Sequence, residues 1–263
     1  PRPIGTTCQI MPLKALIFDV DGTLSDTERD GHRPAFNLAF AEAGLDWYWD
    51  EALYGELLAV TGGKERMRFY VERYRPDYPP PADFTGLLAR LHVAKTRHYT
   101  GLLARGGIPL RPGVERLLRE ARSRGMRLAI ATTTTPANVT ALLEHALSAD
   151  AVGWFEVIAA GDVVPAKKPA PDIFSYAQAQ LGLAPAECLA FEDSENGLRA
   201  ARAAGLKTVI TVNDYTRDHD FTGAVLVLDH LGEPGQPFTR LAGRAVSTDG
   251  VFDLALAQRL HQG

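Results

Sequence analysis

An apolar segment that ends in two aspartates and a glycine, residues 16–22 (LIFDVDG), constrains this chain more than any other feature. The first three residues have the apolar character of a buried β-strand. Two carboxylates at the exit of such a strand, Asp19 and Asp21, repel one another and lose solvation. Such a pair is retained where a divalent cation neutralises it or where one carboxylate takes part in chemistry. The segment therefore predicts a metal-assisted reaction at the end of a strand.

Short apolar runs recur along the chain with helical patterns between them. The predicted strands are 15–20, 128–131, 157–160, 188–191, 209–212 and 224–228, and helices are predicted over 114–123, 172–181 and 198–204. Gly125 and Gly205 follow two of these helices, and Pro171 suits the first position of a third. Strands that alternate with helices form a parallel sheet covered on both faces. We therefore predict an α/β fold with a Rossmann-like parallel sheet core.

Between residues 28 and 104 the pattern changes to helical periodicity without convincing strands. This change predicts an inserted α-helical cap domain, and residues 25–27 and 106–109 would be its two connections and hinges. The core domain would then comprise residues 13–27 and 105–230. Residues 1–12 are expected to be a tail or an expression remnant, and residues 231–263 a C-terminal extension with a packing helix over 251–260.

The composition excludes several classes of protein. The chain has 263 residues, is 46% hydrophobic and carries a formal net charge of −4. Because a general nucleic-acid binder has a basic excess, we expect no nucleic-acid partner. No segment approaches the ~18 consecutive apolar residues of a membrane span, so no membrane contact is expected. Only two cysteines, Cys8 and Cys188, indicate a reducing compartment. We expect a monomer in the cytoplasm, or in the plastid stroma if a leader has been removed.

Polar side chains follow the predicted strands at the sheet edge where open α/β folds bind ligands. The set comprises Asp19, Asp21, Thr132, Lys168, Glu192 and Asp193. Taken singly, each has a plain structural explanation, such as helix capping for the acidic pair that precedes Ser194. Their alignment at one edge instead favours a joint role, with a nucleophile, a hydroxyl, a fixed cation and metal-binding oxygens.

With this set in this order, the chain resembles the haloacid dehalogenase superfamily of phosphatases. Their shared motifs are DxDGT, a strand ending in Ser or Thr, a Lys before Pro and a terminal acidic pair. The resemblance implies that Asp19 attacks phosphorus to give an aspartyl-phosphate, which water then cleaves. Asp21 would act as general acid and then as general base. Thr132 would hydrogen-bond the phosphoryl group, and Lys168 would offset repulsion between the nucleophile and the phosphate.

The same resemblance implies Mg²⁺ as the cofactor. Asp19, the main-chain carbonyl of Asp21, and Asp193 would bind the ion, because Mg²⁺ prefers hard oxygen ligands. Glu192 would be an additional ligand or an acceptor beside the ion. The backbone amides of Gly22 and Thr133 would assist Thr132 in holding the phosphoryl group.

Two segments of the predicted cap resemble the CbbY-type branch of the superfamily, whose characterised members dephosphorylate xylulose 1,5-bisphosphate. They are residues 27–37 (TERDGHRPAFN) and 61–67 (TGGKERM). Gly31 adds one residue before His32 relative to shorter members of the family that have TE-x-x-HR. The resemblance implies a phosphorylated sugar as the small-molecule partner, hydroxyl contacts from Glu28 and His32, and a flexible glycine loop that closes over a second phosphate. The expected substrate-binding residues are Glu28, His32, Thr61, Gly62, Gly63, Lys64, Glu65, Arg66, Thr133, Thr134 and Asn138. A solvated helix face around Lys64 and a packing role for His32 are the alternatives.

The sequence thus predicts an enzyme, a Mg²⁺-dependent sugar-phosphate phosphatase that acts through an aspartyl-phosphate. Its expected substrate is xylulose 1,5-bisphosphate or a related sugar bisphosphate. A phosphomutase of the β-phosphoglucomutase kind is the closest alternative, because it shares the core and the intermediate. A catalytically silent regulator that binds a sugar phosphate is the other alternative, although a silent protein has no need of the complete set of polar residues.

Overall fold

The computed structural model describes residues 11–262 and contains a seven-stranded sheet. Its strands are β1 (Ala15–Phe18), β2 (Arg127–Thr132), β3 (Val157–Ala160), β4 (Cys188–Glu192), β5 (Lys207–Thr211), β6 (Leu226–Leu228) and β7 (Arg240–Gly243). Their order across the sheet is β3-β2-β1-β4-β5-β6-β7, and only β7 is antiparallel to its neighbour. The predicted parallel sheet is confirmed. The sequence did not predict β7, because its four residues are all exposed and show no apolar alternation.

Strand β1 lies between β2 and β4 and pairs in parallel with both. Ile17 is level with Ala129 in β2 and with Ala190 in β4. The pairing with β4 continues past the strand, since the Asp19 amide donates to the Phe191 carbonyl oxygen at 3.0 Å. Parallel strands in register bring their carboxyl ends to the same edge of the sheet. Residues that follow β1, β2 and β4 therefore meet at that edge.

The helices fall into two groups along the chain. Helices α1 (Arg33–Glu42), α2 (Glu51–Leu57), α3 (Gly63–Tyr74) and α4 (Phe84–Ala104) lie within residues 28–104, between β1 and β2. Further helices are α5 (Val114–Ser123), α6 (Pro136–Ala146), α7 (Asp172–Leu181), α8 (Glu195–Ala203) and α9 (Leu254–Gln262). The bounds of α5 and α7 agree with the prediction. Among residues 11–262, no helix combines the length and the apolar character needed to cross a bilayer.

The sheet is covered on both faces, as predicted. Leu16 and Phe18 belong to a buried cluster with residues of α5, α6 and α9. Ala15 and Ile17 belong to another cluster with residues of α7 and α8. This alternation follows from the period of two in a strand, which turns successive side chains to opposite faces.

Helices α1 to α4 surround an aromatic cluster of their own. Its largest members are Phe36, Phe40, Trp47, Trp49, Tyr54 and Tyr70. These helices fall within the predicted cap, whereas the exact domain boundaries stay a prediction. The chain enters and leaves this helical region side by side, because Ser25 and Leu110 form an antiparallel bridge and the Ser25 hydroxyl donates to the Pro109 carbonyl oxygen at 2.8 Å.

A π-helical turn, Glu28–His32, connects β1 to α1. The Arg33 amide donates to the Glu28 carbonyl oxygen, so the turn holds one residue more than an α-helical turn. Gly31 is needed here, because a Cβ at this position would lie 2.7 Å from atoms of Ile108 and Tyr99. The additional glycine noted in the sequence is therefore accommodated by the wider turn.

Candidate active site

Asp19, Lys168 and Glu192 form a buried charged group at the carboxyl ends of β1 and β4. Lys168 Nζ lies 2.6 Å from Asp19 Oδ1 and 2.5 Å from Glu192 Oε1. It also donates to the Ala131 carbonyl oxygen in β2 at 3.0 Å. Burial alone would lower the pKa of Lys168, but the two carboxylates raise it above its usual range. Lys168 is thus a fixed cation that holds the predicted nucleophile in one position.

Asp193 brings a third buried carboxylate to this group. Asp19, Glu192 and Asp193 each offer one oxygen, and these atoms lie within 4.8 Å of one another. Burial and the charges of the two other carboxylates raise the pKa of Asp193 well above its usual range. Burial likewise raises the pKa of Asp19 to about 7, although Lys168 opposes this shift.

These residues fit a divalent cation. The Lys168 ammonium contacts two of the three buried carboxylates, Asp19 and Glu192, so the group keeps an excess of negative charge. A hard cation such as Mg²⁺ would neutralise this excess and favour the ionised forms of Asp19 and Asp193. Both oxygens of Glu192 are already engaged, one by Lys168 and the other by the Asp193 amide at 3.2 Å. Of its two predicted roles, the structure favours that of an acceptor beside the ion.

The Asp21 side chain takes part in a different network. Its Oδ1 accepts hydrogen bonds from the Thr27 hydroxyl and from His32 Nε2, both at 2.6 Å. His32 Nδ1 lies 2.7 Å from Lys95 Nζ, so a proton on the lysine leaves Nε2 as the protonated ring nitrogen. Although burial opposes it, these partners hold the pKa of Asp21 below its usual range. These contacts therefore favour the carboxylate form of Asp21, the form that removes a proton from water.

The sugar-binding role of His32 stays a prediction, which its contacts in the structure do not favour. Both of its ring nitrogens are bonded within the protein, and its ring stacks on Tyr99 with 4.1 Å between centroids. The structure agrees better with the alternative of a packing role for His32. Its hydrogen bond to Asp21 also places it beside a predicted catalytic residue. Lys95 was missed, because no sequence pattern links residues 63 positions apart. Burial lowers the pKa of Lys95 to about 8.

The hydroxyl of Thr132 is oriented by the loop after β2. Its oxygen accepts the Thr134 amide at 3.3 Å, which leaves the hydroxyl proton for an acceptor in the adjoining cavity. The predicted role of the Gly22 amide is corrected, because this group donates to the Ser25 carbonyl oxygen at 2.8 Å and closes the turn after β1.

A cavity of about 220 Å³ brings together all of the predicted catalytic and metal-binding residues. The predicted substrate residues that line it are Glu28, Thr61, Arg66 and Thr133. Its walls also contain residues that the sequence analysis missed, among them Asn196, Asn213, Tyr215 and His219. Most of these lie in the loop after β5, which no recognisable motif marks.

Tyr54 connects two of the predicted substrate residues. Its hydroxyl donates to Glu28 Oε2 in a short hydrogen bond and accepts from Arg66 Nη1 at 2.9 Å. Arg66 Nε also donates to the Val60 carbonyl oxygen at 3.3 Å. Glu28 and Arg66 are therefore held by one buried phenol. Tyr54 was not predicted as a site residue, since an aromatic residue in a helix is more often part of a core.

We expect Tyr54→Phe to raise KM for a sugar bisphosphate about tenfold or more, because the hydroxyl bonds two charged groups. Turnover of a small aryl phosphate, which does not reach Glu28 and Arg66, should stay unchanged. Steady-state kinetics with both substrates will measure the difference. Tyr70→Phe is the matched control, since Tyr70 belongs to the same aromatic cluster but does not line the cavity. Equal losses in the two variants would contradict this role of Tyr54.

The predicted flexible glycine loop is the beginning of a helix. Gly62 caps α3, and Gly63, Lys64 and Glu65 form its first turn. Lys64 Nζ lies 2.9 Å from Asp162 Oδ2, in the loop after β3. All four residues from Gly62 to Glu65 line a separate cavity of about 400 Å³. Thr133 is the one predicted residue that lines both of these cavities. Gly62 and Gly63 also line a small pocket together with Asp21, Glu28 and Arg66, whereas Lys64 and Glu65 do not.

Thr134 and Asn138 do not line the cavity that contains the predicted nucleophile. Thr134 lines a small pocket of about 40 Å³ together with Asp21 and His32. Asn138 is buried, lines none of these three cavities, and donates from Nδ2 to Thr134 Oγ1 at 2.8 Å. The substrate contact of Asn138 stays a prediction, which the structure does not favour because its amide nitrogen orients Thr134.

Comparison of this chain with known proteins agrees with the geometry of the candidate active site. Residues 13–205 match the haloacid dehalogenase-like hydrolase family. The chain belongs to this family. The plasmid-borne protein CbbY of Cupriavidus necator is 49% identical over 95% of this chain and 98% of its own length. CbbY of Rhodobacter capsulatus is 55% identical over 81% of this chain and 92% of its own length.

A solved structure of the haloacid dehalogenase-like family extends the similarity to three dimensions. The crystal structure of CbbY from Rhodobacter sphaeroides in complex with phosphate has a TM-score of 0.78 and 46% identity, over 83% of this chain and 94% of that one. A variant of that protein has been crystallised with xylulose 1,5-bisphosphate. The predicted family, fold class and enzyme class, a phosphoric monoester hydrolase, are confirmed.

Proposed function

We propose that this haloacid dehalogenase-like hydrolase is a Mg²⁺-dependent phosphatase acting on xylulose 1,5-bisphosphate or a related sugar bisphosphate. The observation that carries the proposal is the position of Asp19, which Lys168 holds at 2.6 Å in a cavity that Glu28 and Arg66 also line. The cavity thus joins a fixed nucleophile to groups suited to sugar hydroxyls and to an anion. The bound sugar bisphosphate in the related R. sphaeroides protein supports this choice of substrate.

In the first step, a carboxylate oxygen of Asp19 forms a bond to phosphorus while the bond from phosphorus to the sugar oxygen breaks. The leaving oxygen takes a proton from Asp21, so Asp21 must enter this step protonated. His32 contacts Asp21 through Nε2 and Lys95 through Nδ1, so the Lys95–His32 pair is positioned to supply that proton. The product of the step is an aspartyl-phosphate on Asp19.

In the second step, water attacks the phosphorus of the aspartyl-phosphate, and Asp21 removes the proton that water loses. Inorganic phosphate leaves, Asp19 is again a carboxylate, and Asp21 again carries a proton, now one taken from water. The contacts of Asp21 with Thr27 and His32 suit this step, because they stabilise the ionised form that acts as the base.

Mg²⁺ would be held by Asp19, Asp193 and the main-chain carbonyl of Asp21, with Glu192 beside it. When bound, the ion supplies positive charge that offsets the repulsion between the carboxylate nucleophile and the phosphate. Lys168 and Thr132 act from the protein side, one as a fixed charge and the other as a hydroxyl donor.

A panel of sugar monophosphates and bisphosphates tests the proposed function. We expect inorganic phosphate release with the highest kcat/KM for a pentulose bisphosphate, loss of turnover in EDTA, and recovery when Mg²⁺ is added in excess. Migration of phosphate without release would instead identify a phosphomutase. Tight binding of the bisphosphates without any turnover would identify a silent regulator.

A further inference from the structure

The loop after β5 reaches the candidate metal site through Asn213. Asn213 Nδ2 donates to Asp193 Oδ2 at 2.6 Å. A hydrogen bond to an ionised carboxylate is stronger than one between neutral groups, and it restricts the rotation of the carboxylate. Lys168 contacts Asp19 and Glu192, so Asp193 is held by a different part of the chain from its two neighbours.

The loop itself fixes the orientation of the Asn213 amide. The backbone amide of Tyr215 donates to Asn213 Oδ1 at 2.9 Å, which identifies this oxygen as the acceptor and leaves Nδ2 toward Asp193. The Asn213 backbone amide donates to Thr216 Oγ1 at 2.9 Å, and the Thr216 amide donates back to the Asn213 carbonyl oxygen at 3.1 Å. Asn213 therefore meets Asp193 from a closed turn with little freedom.

Gly22 makes room for this contact. A Cβ on Gly22 would collide with Asp193 Oδ2 and would lie 2.6 Å from Asn213 Nδ2, and the φ angle of +85° already favours glycine. The Arg111 guanidinium joins the two backbones, because it donates to the Gly22 carbonyl oxygen and, at 2.5 Å, to that of Val212. The turn after β1 and the loop after β5 thus form one packed unit around the Asp193 carboxylate.

We propose that Asn213 is a positioning residue that sets the rotation of the Asp193 carboxylate and thereby makes the site selective for Mg²⁺. Mg²⁺ requires near-ideal octahedral geometry, whereas Ca²⁺ accepts irregular coordination and longer distances. A carboxylate that rotates freely therefore loses more affinity for Mg²⁺ than for Ca²⁺. The inference rests on the Mg²⁺ site of the proposed function and adds the residue that selects the ion.

Calorimetric titration of the full chain with Mg²⁺ and with Ca²⁺ tests this role. Asn213→Ala should weaken Mg²⁺ binding about 10- to 100-fold, the usual effect of removing a partner of a metal ligand. Ca²⁺ binding should weaken by less than about threefold, because Ca²⁺ tolerates irregular geometry. Asn196→Ala is the matched control for metal affinity. Asn196 lines the same cavity, but its amide donates to the Ala59 carbonyl oxygen and to Thr61 Oγ1.

A second variant tests whether misfolding explains the loss of Mg²⁺ affinity. Asn213→Leu keeps nearly the size of the side chain and adds no charge, but it has no amide to donate to Asp193. It should show the same loss of preference for Mg²⁺ over Ca²⁺, with a melting temperature close to that of the wild type. Unchanged affinity for Mg²⁺, or an equal loss of affinity for Mg²⁺ and Ca²⁺, in either folded variant would overturn this inference. Such a result would leave the proposed function standing. If the wild-type chain itself binds no Mg²⁺, the metal part of the proposed function fails and this inference fails with it.

Discussion

Asp19→Asn should lower kcat for phosphate release about 10⁴-fold or more, in line with the removal of a covalent nucleophile. The amide has nearly the shape of the carboxylate and can still accept the hydrogen bond from Lys168, but it lacks the charge and the nucleophilic oxygen. Phosphate release from the preferred sugar bisphosphate under saturating Mg²⁺ will measure the loss.

The same variant should keep its fold. Asp19 is buried among other carboxylates, so replacing its charge relieves repulsion while leaving the contact with Lys168. A melting temperature close to that of the wild type will show that lost activity reflects lost chemistry. Mass spectrometry of the wild type quenched during turnover should detect a phosphorylated protein, and the variant should show none. Wild-type turnover in Asp19→Asn would mean that another group attacks phosphorus.

Asp21→Asn should lower kcat about 10² to 10⁴-fold, the range of general acid–base catalysis, while it leaves most of the Mg²⁺ affinity intact. The reason is that the Asp21 side chain bonds Thr27 and His32 and lies outside the group of three carboxylates that faces the metal site. Only its main-chain carbonyl is expected at the ion, and this group survives the substitution. Kinetics and calorimetric titration with Mg²⁺ on the same preparation will separate the two effects.

Asp193→Asn provides the contrast for this experiment. It removes a charge from the three-carboxylate group, so Mg²⁺ affinity should fall strongly, and activity should recover in part at high Mg²⁺ concentration. Activity of Asp21→Asn should not recover under those conditions. If both variants lost Mg²⁺ affinity to the same extent, the division between a proton-transfer residue and a metal ligand would be wrong.

The sequence was sufficient to predict the sheet and its catalytic edge. Apolar runs mark strands that are buried on both faces, and polar residues at their ends break that pattern visibly. Asp19, Lys168 and Asp193 could therefore be placed together, because parallel strands in register bring their ends to one edge. The short, exposed β7 has no such pattern and was missed.

The helical region was harder to predict, because its important contacts join distant residues through side chains. His32 meets Asp21 and Lys95 only because a π-helical turn adds a residue before α1, and no local propensity signals such a turn. Tyr54 has the sequence signature of a core residue, and only its hydroxyl contacts reveal another role. Lys64 was predicted to meet phosphate because of its glycine neighbours, but tertiary structure places it next to Asp162.

The partners of the two predicted catalytic aspartates come from different parts of the chain, and this affects how the enzyme could be redesigned. Lys168, which holds Asp19, belongs to the sheet region, whereas His32 and Lys95 reach Asp21 from the segment between β1 and β2. A chimera that borrowed residues 28–104 from a relative to acquire a new substrate would keep its own nucleophile. It would receive foreign partners for Asp21 in the same exchange, so under the proposed function the donor segment must match the recipient at these two positions as well as suit the new sugar.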